Sequence, residues 1–96
     1  MLKITLKDGK TRRLLVVEGK LVAPWTNELT NVWQGITRDH DQRELVLDVR
    51  GVTDISADGE GVLYYLIVQG AKFHGSGVFM KQVLRQLTQR ARQARN

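Results

Sequence analysis

Three short groupings in this chain hold side chains able to do chemistry. Asp39-His40-Asp41 sets an imidazole between two carboxylates, donor types that ligate divalent ions. Contiguous side chains point apart rather than converging, so these three read as a solvated loop and no metal site is expected. Asp58-Gly59-Glu60-Gly61 holds the Gly-x-Gly of a phosphate cradle, but no Walker lysine follows and the dinucleotide fingerprint is incomplete. Lys81, Arg85 and Arg92 recur at helical spacing and could face phosphates or an acidic partner. Catalytic chemistry is harder to assemble. Two His, His40 and His74, stand without a Gly-x-Ser-x-Gly elbow, and the absence of Cys excludes a thiol nucleophile and Cys-ligated zinc. Neither an enzyme nor a bound cofactor is expected.

The chain around them has the make-up of one small soluble domain. It has 96 residues, and hydrophobic and charged shares of 42% and 26% are those of globular chains rather than disordered ones. With no disulfide possible, the core alone must stabilise the fold. No apolar run approaches the ~18 residues needed to cross a bilayer, and MLKITLKDGK lacks the apolar stretch of a signal peptide. A cytoplasmic location is the expectation. The net charge of +5 is unevenly placed: all ten acids lie at or before Glu60, and Lys72, Lys81, Arg85, Arg90, Arg92 and Arg95 follow with none. The basic character therefore belongs to the last quarter of the chain.

The elements that must position these residues follow from periodicity. Leu2, Ile4 and Leu6 alternate with polar residues as in a half-buried strand, and Asp8-Gly9 signals a hairpin. Leu14 to Val17 is apolar on both faces, which predicts an interior strand ended by Glu18-Gly19. A helix over Pro24–Ile36 places Trp25, Leu29, Val32, Trp33 and Ile36 on one stripe, with Thr26, Asn27, Asn31 and Gln34 outside it. After the polar stretch 38–44, Leu45–Val49 reads as a strand turned by Arg50-Gly51. A second helix starts at Ser56, burying Val62, Leu63, Leu66 and Ile67 and ending near Gly70. Lys72–His74 suits a short strand, and Ser76 suits the cap of a last helix spanning about 77–94. There Met80, Val83, Leu84, Leu87, Ala91 and Ala94 share a face, and Arg90 at its margin predicts fraying. The order predicts an α/β fold: a mixed, roughly four-stranded sheet with three helices mainly on one face, all in one domain over 1–96.

Val52 to Leu63 is the most informative segment. It leaves a strand and opens an apolar helix, so the first N–H groups of that helix lack partners and its dipole favours negative charge. Ser56 can cap those amides and Asp58 gains from the dipole. Gly59 and Gly61 each lower helix propensity by up to ~1 kcal/mol, a cost that suggests close approach of something to this backbone. With the strand Leu45–Val49, the turn Arg50-Gly51-Val52, Glu18-Gly19-Lys20-Leu21-Val22 and the helix Pro24–Ile36, this loop resembles the STAS domain of bacterial anti-sigma-factor antagonists. The resemblance covers nearly the whole chain.

That resemblance implies a non-catalytic regulatory module in a partner-switching system, whose protein partner is a kinase-like anti-sigma factor. In the family the loop commonly reads Asp-Ser-Ser/Thr-Gly, and its second hydroxyl residue is phosphorylated. Matching Gly59 to the motif glycine puts Asp58 at the phosphoacceptor position, Ala57 before it and Ser56 where the family has Asp. Asp58 then offers fixed negative charge in place of a switchable one. Glu60 becomes a polar contact, and Gly59 and Gly61 provide access. Trp25 near the helix start would anchor an interface if exposed, and packs in the core otherwise. Two alternatives stand beside this. One is a STAS-like accessory subunit of a membrane transporter. The other is an anion or nucleic-acid binder acting through Lys81, Arg85 and Arg92, although no groove-reading motif accompanies them and the chain's two Trp lie elsewhere. A homodimer is compatible with each.

Overall fold

The computed structural model describes residues 1–38, 43–74 and 77–94. Seven elements follow in order: β1 (Leu2–Asp8), β2 (Arg12–Leu21), α1 (Thr26–Thr37), β3 (Glu44–Ile55), α2 (Ala57–Val68), β4 (Lys72–His74) and α3 (Val78–Ala94). They build the mixed α/β sheet the sequence predicts. Strand order is β1-β2-β3-β4, antiparallel between β1 and β2 and parallel across the other two pairs. The hairpin between β1 and β2 closes through Gly9 N–H donating to Arg12 O at 2.8 Å.

Two parallel crossovers, β2-α1-β3 and β3-α2-β4, step in the same direction across the sheet. Right-handed connections then place both helices on one face. The burial pattern agrees. Leu15 and Val17 of β2 and Leu47 and Val49 of β3 point into a core shared with Leu29 and Trp33 of α1, Leu63 and Leu66 of α2, and Met80 and Leu87 of α3. Burying each such Leu is worth ~1.5–3 kcal/mol, which is how a chain without disulfides holds together. Among the described residues the opposite sheet face carries no helix, and Leu14, Val16, Val46 and Asp48 lie there.

Several local expectations are corrected. Residues Glu18-Gly19 do not end β2, which runs to Leu21 with Gly19 at φ 100°. Arg50-Gly51 does not turn β3. The strand continues to Ile55, and its pairing with β2 shifts between Val16 and Glu18 and again between Gly19 and Lys20. The extra residues on β3 are bulges, and they break the period-2 pattern in the way a turn would. Helix α1 starts at Thr26 rather than Pro24, after a turn in which Trp25 N–H donates to Val22 O at 3.0 Å. Thr26, placed outside the apolar stripe by periodicity, is buried. Helix α3 runs from Val78 to Ala94, and the Arg90 guanidinium lies 5.3 Å from the centre of the Tyr64 ring of α2. Asp39-His40-Asp41 and the Ser76 cap lie outside the described residues.

Candidate functional site

The site grows from the end of β3. Ser56 leaves the strand in an extended conformation (φ −96°, ψ 175°), and its Oγ accepts the Gly59 N–H at 3.2 Å. Its own N–H donates to Leu21 O at 3.2 Å, tying the helix start to the end of β2. Ser56 is therefore the cap of α2, and its hydroxyl is occupied by that task. Asp58 follows in the first turn, exposed to solvent, where the unpartnered N–H groups favour a negative charge. Among the described residues it makes no ion pair. Glu60 is half-buried two residues further along, and it too lacks an ion-pair partner among the described residues.

The two glycines do different things. Gly59 is buried, and a β-carbon there would overlap Leu21 O and stand 2.8 Å from Ile55 Cγ1. What approaches its backbone is the chain itself, so Gly59 fits α2 onto β2 and is not part of the contact surface. Gly61 is exposed, and a β-carbon there would meet nothing within 4 Å. Its missing side chain leaves open space.

That space belongs to a groove between α1 and α2 of about 640 Å³. One wall is Asn27, Thr30 and Gln34 of α1, and the other is Asp58, Gly61 and Tyr65 of α2. Because both helices follow parallel strands, they run side by side in the same sense. Gln34 Nε2 donates to Tyr65 Oη at 3.5 Å and closes the C-terminal end, while Asp58 stands at the N-terminal end beside Pro24. Asp58 is the one charged side chain among the described lining residues. The groove thus combines hydroxyl and amide groups, a small apolar floor and one carboxylate. Among the described residues, no three metal-ligating side chains converge there or elsewhere.

Trp25 lies half-buried against the core and does not line the groove. Lys81, Arg85 and Arg92 are exposed on α3 and take no part in it. Thr30, Gln34 and Tyr65 were outside the sequence-derived site. The signal for Thr30 and Gln34 is the polar spacing of 26, 30 and 34, which identifies a face of α1 without saying what stands opposite; Tyr65, on α2, has no such signal. His74 is exposed on β4, in register with Asp48 of β3. No helix among the described residues is long and apolar enough to cross a membrane. Comparison of the chain with family models and with curated proteins finds no match.

Proposed function

We propose that this chain is a non-catalytic regulatory module that docks on a protein partner through the first turn of α2 and the adjoining α1/α2 groove. The observation that carries the reading is Asp58: an exposed carboxylate at a capped helix start, without an ion-pair partner among the described residues, on the wall of an open groove. Rim charges of this kind set partner choice and encounter rate more than affinity. Tyr65 and Val62 supply the apolar contact a docked segment needs, and Gly61 gives its backbone room. The STAS resemblance supports the same surface, since it matches Asp58 to the phosphoacceptor of anti-sigma-factor antagonists. A permanent carboxylate there holds a single fixed negative charge where a phosphorylated hydroxyl would carry about −1.5 to −2 for part of the time. The partner is then a kinase-like anti-sigma factor or another partner-switching protein. Ser56 does not replace the lost acceptor, because its Oγ is engaged with the Gly59 N–H.

The test uses the chain as bait in a lysate of its source, beside an Asp58→Arg variant. A protein retained by the unaltered chain and lost from the variant is expected; identical retained sets would remove the basis for the proposal. If the retained protein is a kinase, ATP should add phosphate to an Asp58→Ser variant at residue 58 and none to the unaltered chain. Phosphate on Ser56 of the unaltered chain would contradict the assignment.

A further inference from the structure

Helix α3 presents a surface that the groove reading does not use. Its apolar face is spent on the core through Met80, Leu87 and Ala91, all buried. The opposite face is exposed, and no Asp or Glu occurs anywhere after Glu60. At ~100° per residue, Lys81, Arg85 and Arg92 fall within about 40° of one another and span about 16 Å of helix axis. A second row adjoins this one. Gln82, Gln86, Gln89 and Gln93 repeat the same spacing within about 60° of arc, all exposed. At the N-terminal end of the amide row stands Phe79, which is 50% exposed. Lys81, Gln82, Arg85 and Gln86 border a shallow depression of about 440 Å³ on this face.

We propose that this face of α3 binds single-stranded nucleic acid without sequence preference. A row of cations with no interspersed carboxylate follows a polyanionic backbone. The amide row beside it supplies both donors and acceptors, which suit phosphate oxygens and base edges. The half-exposed ring of Phe79 offers a platform on which an unpaired base can stack, and a duplex hides that base face. An anionic membrane surface fits less well. The apolar stripe of α3 is buried in the core, leaving Val78 and Phe79 at its start as exposed apolar side chains, too small a face for the headgroup layer, and a row of four amides has no counterpart there. Phe79 adjoins the amide row and not the cations, from which it stands about 120–160° round the helix, so the amide row lies between ring and cations.

Fluorescence anisotropy with a labelled oligothymidylate of about 20 nucleotides, longer than a typical site, tests this. Each phosphate neutralised on a single strand contributes about −0.7 to the slope of log affinity against log salt, so three cations give about −2. Affinity should then fall roughly 16-fold for a fourfold rise in salt. The Lys81→Ala, Arg85→Ala, Arg92→Ala triple variant should flatten the slope, and Arg85→Gln alone should reduce its size by about 0.7 and serves if the triple variant does not fold. Phe79→Ala should weaken binding roughly tenfold and leave the slope unchanged. The proposal is overturned by absence of binding at low salt or by a slope that survives these cation changes. Equal competition by polyglutamate, or tighter binding to the duplex or to phosphatidylglycerol vesicles, overturns it as well. Asp58→Arg should leave the oligonucleotide affinity within twofold of the unaltered chain's, which separates this surface from the groove.

Discussion

Gly59 rests on the carbonyl oxygen of Leu21, the same oxygen that accepts the Ser56 N–H at 3.2 Å. One atom at the end of β2 therefore fixes both the cap and the first turn of α2, and with them the position of Asp58. A methyl at residue 59 would overlap Leu21 O and press on Ile55, so the helix would have to lift from the strand. Gly59→Ala should cost ~1–3 kcal/mol despite its better helix propensity. Two residues on, Gly61→Ala places its methyl in open space and should stabilise by up to ~1 kcal/mol. Urea unfolding of both variants checks the pair. Stabilisation by both would mean that α2 does not seat on Leu21 as described.

The helix-free face of the sheet holds a second coupling. Arg50 Nη2 and Nε donate to the two oxygens of Asp48 at 2.8 and 3.0 Å, and the Arg50 backbone N–H adds a third bond at 3.1 Å. The side-chain bonds from Arg50 hold the Asp48 carboxyl below its ordinary value of 3.8, against burial, which pushes the other way. Because the folded-state value is depressed, the carboxylate stabilises the fold above about pH 4 and loses that contribution as pH falls through the folded value. Asp48→Asn keeps the acceptor for the backbone N–H and removes the charge. Its urea midpoint should fall below that of the unaltered chain at neutral pH, and the two should converge under acid conditions below 3.8. A gap that widened on acidification would contradict the pairing.

How far these features were legible from residue order depends on whether their cause is local. Ser56 as a cap and Leu63 and Leu66 as core follow from neighbours within one turn, and the structure keeps them. The three residues of β4 were equally plain, bounded by Gly70 and Gly75. Arg50-Gly51 misled because a bulge and a turn break a strand's period in the same way; only pairing with Glu18 and Gly19 tells them apart. Gly59 misled for a related reason. Its cause is Leu21, 38 positions away in sequence, and nothing near residue 59 reveals it. The groove was half visible. Asp58 and Gly61 stand out in their own segment, whereas Thr30 and Gln34 gain meaning only when two parallel crossovers lay α1 beside α2.

Arg90 shows the same dependence on a distant partner, and it can be tested directly. Placed at the margin of an apolar stripe near a helix end, an arginine should loosen the last turns of α3. Yet its guanidinium sits 5.3 Å from the centre of the Tyr64 ring, joining α3 to α2 one turn past the buried Leu87. Such contacts at accessible sites are worth ~0.5–1 kcal/mol, enough to decide whether a terminal turn stays formed. Arg90→Ala should leave the urea midpoint little changed and speed amide exchange at Ala91 and Ala94 by roughly two- to fivefold. Tyr64→Leu, which keeps apolar bulk against α3 and removes the ring, should speed the same amides. Exchange rates unchanged in both variants would show that core packing alone holds the end of α3.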